Sequence, residues 1–274
     1  MLSTLMKYER KATVRVMGPI LLAVVLLAAV LRLLTIWSGM IDHSQLLSVD
    51  PVDLLMRLVT IVFFLAMTAA PIAALVLMIV RFKTNLLSDE GYVMFTLPVS
   101  AHQLVWSKLL TSALWFIAAA AVDVLGTLVI AGDQDLLNSV VSGFRDLFRD
   151  LTAYYAANGI LMIAEIVVLV LLFCLVTCLR FYCPMAIGHS FARRKILLSV
   201  VFYFVIWAAT QAAIVAFATL GIPYMEDLST LLMGLPSAAA LHGGLLLGIL
   251  IVAVYGAILY AITIRMLHRH LNLD

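Results

Sequence analysis

The sequence predicts an all-α, polytopic membrane protein with six transmembrane helices, and three observations predict it. Of 274 residues, 65% are hydrophobic and only 12% charged, where soluble domains run near half and a quarter. The mean hydropathy is +1.16. Six apolar runs of about the twenty residues that cross a bilayer core lie at 16–37, 56–80, 107–131, 159–181, 196–222 and 239–264. Lysine and arginine gather in alternate connections between those runs.

Ahead of the first run, Leu2, Leu5 and Met6 are apolar while Lys7, Arg10, Lys11 and Arg15 recur at helical spacing. That pattern predicts a basic interfacial helix over 2–14. The first span contains Arg32 and is followed by no small-residue cleavage site, so it reads as a retained helix and not a signal peptide. Pro71 predicts a bend in the second span. Cys174, Cys178 and Cys183 close the fourth; with no His or carboxylate to complete a tetrahedral set, they suit packing better than ligation. In the sixth span Gly244 and Gly248 form a G-x-x-x-G pair that permits close helix contact.

None of the connections is long enough for a second folded domain, so 1–274 reads as a single transmembrane domain. In the third connection Leu136, Leu137, Val140, Val141, Phe144, Leu147, Phe148 and Leu151 follow a helical stripe. Asp135, Ser139, Arg145, Asp146 and Arg149 fall mainly on the other side. An outer amphipathic helix over 135–151 is expected.

Cationic loops resist translocation, so the basic residues set the orientation. With the N-terminus inside, the inner segments hold thirteen: Lys7, Arg10, Lys11, Arg15, Arg81, Lys83, Lys108, Arg180, Arg193, Arg194, Lys195, Arg265 and Arg269. The outer segments hold Arg57, Arg145 and Arg149. Nine acids (Asp42, Asp50, Asp53, Asp133, Asp135, Asp146, Asp150, Glu226 and Asp227) take the outer side. The expectation is a multi-pass protein of the bacterial plasma membrane with both termini cytoplasmic. Its positive charge serves topology and implies no nucleic-acid partner.

The most informative connection is cytoplasmic on this reading and runs from Arg81 to Ser100. Ser88 is a suitable N-cap, Asp89 and Glu90 suit the positive start of a helix, and Pro98 stops it. A short helix over 89–97 follows. Ser100 and Gln103 then have the spacing of a capping box that starts the next helix. A short helix carrying Tyr92, Met94 and Phe95 beside two acids suits docking of a soluble partner.

The string from Leu87 to Leu109, with Ser-Asp-Glu-Gly-Tyr, Phe-Thr-Leu-Pro and Ser107-Lys108-Leu109-Leu110, resembles bacterial ATP-binding-cassette transporter permeases of the type-2 exporter class. The N-terminal stretch Leu5 to Thr13 and the closing Leu271-Asn272-Leu273-Asp274 are similar to the same group. The resemblance implies that two permease subunits, identical or similar, pair in the membrane and that each docks a separate ATPase. It implies that 89–97 is the coupling helix, with Asp89, Glu90, Gly91, Tyr92 and Phe95 contacting the ATPase. The helix over 2–14 would match the family's connecting helix. This chain has no G-x-x-x-x-G-K-[ST] loop, so ATP and Mg are expected in the partner and no cofactor here.

Asp123 and Glu165 are ionisable groups in apolar spans, where function is the default reading. Either they line a translocation path or carry protons, or they snorkel or pair structurally; Arg32 is one available partner. Gln211 and Thr210 either line a path or join helices by hydrogen bonds. His242 reads as interfacial, and His268 and His270 as part of a cationic end. The function expected is a permease subunit exporting a hydrophobic or amphipathic substrate (a peptide, lipid or drug-like compound), with no bond chemistry of its own. A proton-coupled carrier using Asp123 and Glu165 and a non-transporting scaffold or sensor are the alternatives. An intramembrane enzyme would need clustered His, Asp or Ser.

Overall fold

The computed structural model describes residues 2–38, 51–88, 90–96, 98–131, 138–139, 141–143, 145–146, 149, 158–191, 193–233 and 237–269. Among these residues there is no strand. Seven helices follow in order: α1 (Leu2–Ser38), α2 (Pro51–Leu86), α3 (Glu90–Thr96), α4 (Ala101–Ala131), α5 (Asn158–Gly188), α6 (Lys195–Met233) and α7 (Ser237–Arg269). All but α3 contain a stretch long and apolar enough to cross a membrane. The protein is therefore an all-α chain with six candidate membrane-spanning helices.

Each helix outruns the apolar stretch that announces it, because backbone hydrogen bonding continues wherever no residue interrupts it. The N-terminal segment shows this most clearly. Residues 2–14 do not form a helix of their own; α1 runs without a break from Leu2 to Ser38, through Pro19. The reason is a single buried stripe, Glu9, Thr13, Met17, Val24, Ala28 and Leu31, at helical spacing along the whole length. Trp115 anchors its start, donating its indole N–H to the buried Thr13 hydroxyl at 2.9 Å, and that hydroxyl donates in turn to the Glu9 carbonyl at 2.8 Å.

The chain divides into two compact units. One comprises Ser3–Leu77 and Thr111–Asp146, so it holds α1, most of α2 and most of α4. Its core is Val24 and Ala28 of α1, Phe63 and Ala70 of α2, and Ala119 of α4. Small residues let these helices approach. A methyl group at Gly126 would lie 3.3 Å from the Phe63 ring and 3.6 Å from the Ala28 side chain. In the connection between α4 and α5, the described residues of 138–149 are helical and exposed, Ser139, Arg145 and Asp146 among them. The rest of the predicted 135–151 stripe, apart from exposed Val141, lies outside the described residues.

The other unit holds the end of α2, α3, the start of α4, and α5 to α7. Helices α5 and α7 run parallel, with Glu165 by His242, Val176 by Gly256 and Ser190 by Met266. Helices α5 and α6 form an antiparallel hairpin, seamed by the stacks of Phe181 on Tyr203 at 5.1 Å and Phe191 on Phe202 at 5.9 Å. The end of α2 joins through Phe82, stacked on Tyr182 at 4.1 Å with rings 6° from parallel. The parallel and antiparallel pairings are those of helices that cross alternately. They bring Lys83, Arg180, Lys195 and Arg265 to one basic end of this unit.

Among the described residues of this chain, close helix approach is seen at glycines other than the G-x-x-x-G pair. A side chain at Gly243, Gly244 or Gly248 would meet nothing within 4 Å among the described residues. One at Gly256 would come 2.7 Å from Val176, and one at Gly188 would run into Ser199, backbone included. The spacing marks permissive positions, but the neighbouring helix decides which are used. The α5–α6 turn ends at Arg194, in the left-handed region at φ 57°.

The same turn carries a titratable group. His189 is buried at 4% exposure and its Nδ1–H donates to the Met185 carbonyl at 2.9 Å. Burial holds the imidazole below its usual 6.5; the Met185 bond works against this, and the nearby charges of Lys195 and Lys83 reinforce it. Above pH 6.5 the folded and unfolded chains both carry neutral His189. As pH falls through 6.5 the unfolded chain takes a proton that the folded chain refuses, so stability falls. In detergent, the apparent Tm of the wild-type chain should drop more between pH 7.5 and 5.5 than that of His189→Gln; equal drops would remove His189 as the cause.

Candidate functional site

Helix α3 is held between two helix ends. The Ser88 hydroxyl donates back to the carbonyls of Lys83 at 3.0 Å and Thr84 at 3.1 Å, so it closes α2 and does not act as the side-chain N-cap of α3. A hydroxyl has one proton, and the last carbonyls of the long helix are the unsatisfied groups nearest to it. The Ser88 carbonyl instead accepts the Gly91 N–H at 2.7 Å, which starts the short helix. Downstream, the Gln103 N–H donates to the Ser100 hydroxyl at 3.3 Å and the Ser100 N–H donates to the Gln103 side chain at 3.4 Å. This reciprocal pair is a capping box, and it lets the chain turn sharply into α4.

Two faces of α3 differ. Glu90, Tyr92, Val93 and Thr96 are exposed, with Tyr92 at 50% and Val93 at 66%. Met94 and Phe95 are half-buried and Gly91 is buried. Of the predicted docking residues, then, Glu90 and Tyr92 face outward, Phe95 does so in part, and Gly91 is spent on contacts within the chain. Asp89 lies outside the described residues. Val93, unmarked in the sequence, is the most exposed apolar side chain of the helix; its position one residue after Tyr92 was the available signal.

The three predicted path residues occupy different settings. Asp123 is half-buried in α4, with Oδ1 enclosed and without a hydrogen-bond partner among the described residues. Gln211 is exposed on α6. Beside it, Thr210 acts as a helix joint: its hydroxyl donates to the Ile206 carbonyl at 2.7 Å and lies 3.1 Å from the Tyr255 hydroxyl of α7. Glu165 alone sits in a built polar pair. It is 8% exposed, and its Oε2 lies 2.9 Å from His242 Nδ1. His242 Nε2 is enclosed without a partner among the described residues. The structure thus makes His242 the partner of Glu165 and not simply an interfacial residue. The residues are 77 apart in sequence, and nothing local announces the contact.

No protein-family model, no curated protein and no solved structure matches this chain. The site is therefore read from its own residues. Lys108, counted among the basic residues that set orientation, is 1% exposed and belongs to the interior of its unit. Cys178 and Cys183 are buried thiols, and Cys183 is hydrogen-bonded to Thr263 of α7. Among the described residues no group of three or more His, Cys, Asp or Glu could hold a metal. The arrangement offers an exposed amphipathic helix for contact and one enclosed carboxylate–imidazole pair for polar or proton chemistry.

Removing one member of that pair leaves the other enclosed and unsatisfied, at a cost of about 1–3 kcal/mol. Glu165→Leu and His242→Leu should each lower the apparent Tm, and the double variant should fall by less than the sum of the two. Additive losses would mean that the two side chains are not coupled.

Proposed function

We propose that this chain is the transmembrane subunit of an ATP-binding-cassette exporter of the bacterial plasma membrane. A separate ATPase subunit powers it. The observation that carries the reading is α3, a short helix between two candidate spans that presents Tyr92, Val93 and Glu90 outward. An exposed aromatic and a large aliphatic side chain flanked by an acid make an anchor for a protein partner. Helix α3 is joined to α2 by residues 87–89 and to α4 by residues 97–100, so a pull on it reaches two spans directly. The resemblance of Leu87 to Leu109 to type-2 exporter permeases supports the same role.

On this reading the basic end and both termini are cytoplasmic. Two such chains, identical or similar, pair in the bilayer, and a hydrophobic or amphipathic substrate passes between them. ATP and Mg bind to the partner ATPase, and no residue of this chain makes or breaks a bond. Substrate contacts are mainly apolar, as suits spans with so few charges.

A second reading, the proton-coupled carrier, draws support from the Glu165–His242 pair. The two readings differ in what drives transport. A carrier moves substrate in liposomes on a pH gradient without ATP and loses that activity in Glu165→Gln; the exporter needs ATP and its ATPase.

The direct test is purification of the chain from its native membrane. An ATPase with a phosphate-binding loop should accompany it. Tyr92→Ala and Phe95→Ala should each weaken that association by about tenfold or more, the loss of an interface anchor worth over 1.4 kcal/mol, and transport should fall with it. Absence of any ATPase, or coupled hydrolysis and transport left intact by both substitutions, would overturn the proposal.

A further inference from the structure

A cleft of about 740 Å³ opens where the first turn of α4 meets the last turns of α7, lined by His102, Tyr260, Ala261, Ile264, Arg265 and His268. No carboxylate lines it among the described residues. Its polar groups touch one another. His102 Nδ1 lies 2.7 Å from the Tyr260 hydroxyl oxygen, and Trp106 packs against the Tyr260 ring with centroids 5.9 Å apart.

Beside His102 stand a second imidazole and a cation. The His268 ring lies 6.3 Å away, and Arg265 supplies a guanidinium with five donors and no acceptor. Among the described residues, neither Arg265 nor His268 makes an ion pair. A cleft with one fixed positive charge, five guanidinium donors and no lining carboxylate among the described residues calls for a ligand rich in acceptors and negatively charged. Phosphate esters have that chemistry, and arginine matches their oxygens in a two-pronged contact.

Size and position narrow the choice. The cleft has the volume of a site for a drug-sized molecule, well beyond a bare phosphate. Ala261 and Ile264 give it an apolar wall. It lies at the ends of two apolar helices, the depth at which headgroups meet hydrocarbon, and Trp106 is 38% exposed beside it, as suits an interfacial aromatic. We propose that this cleft binds a phosphate-ester anion, the headgroup of an anionic phospholipid, with Arg265 and His268 on the phosphate and His102 positioned by Tyr260. The site stands whether or not an ATPase docks on α3.

The test is a thermal-shift titration of the purified full-length chain with three compounds: dihexanoyl-phosphatidylglycerol, dihexanoyl-phosphatidylcholine and soluble glycerol-1-phosphate. The anionic lipid should raise the apparent Tm in a saturable way, and added salt should weaken it. Arg265→Gln should weaken binding about tenfold, the scale of one lost charge-assisted contact, and His268→Gln should weaken it in the same direction. Lys11→Gln, an exposed cation outside the cleft, should change it less than twofold. Equal binding of phosphatidylcholine, or anionic binding unchanged in Arg265→Gln, would overturn the site. Glycerol-1-phosphate binding as tightly as the lipid, with the same dependence on Arg265, would support the anion site and overturn the lipid as its source.

Discussion

Hydrocarbon neither hydrogen-bonds a peptide group nor solvates a charge, and the rest of this structure depends on that constraint. In such a medium every backbone N–H and C=O must be satisfied within the chain. The answer here is helix for nearly all of the described residues, with six long helices and one short one. The same constraint explains why so few residues in the spans are ionisable. Glu165, enclosed in α5, finds its partner in His242.

Packing in this setting gains little from excluding water between helices, so close contact carries more of the burden. Two devices supply it. Small residues let backbones approach: Gly188 at Ser199, Gly256 at Val176 and Gly126 at Phe63. Aromatic stacks seam the unit that holds α5 to α7, where Phe82, Tyr182, Phe181 and Tyr203 line up near the basic end. Hydroxyls such as Thr13, Thr210 and Thr263 add single directional bonds within and between helices.

The six spans were legible in the sequence because a run of about twenty apolar residues is rare in any helix that does not cross a bilayer. The capping box at Ser100 and Gln103 was legible as well, since both partners sit within one turn. Most of what escaped depends on a neighbour distant in sequence. Residues 2–14 carry an interfacial pattern, but Trp115 and a continuous buried stripe hold them in line with the first span. Ser88 fits an N-cap by position, yet the last turn of α2, only four and five residues back, claims its hydroxyl. Gly244 and Gly248 have the spacing of a contact motif and meet nothing in their own chain among the described residues. The Glu165–His242 pair and the cleft at Arg265 join segments that no local window contains.

Helix α3 is, among the described helices, the one too short to cross, and it exposes Tyr92 and Val93 beside Glu90. On the proposed function this face meets a cytoplasmic partner. A single cysteine at Val93, in a chain whose three native cysteines are replaced by alanine, tests it with a membrane-impermeant thiol reagent. Labelling should be absent in intact cells, strong in inside-out vesicles, and blocked there when the partner ATPase is present. Labelling from outside intact cells would contradict it.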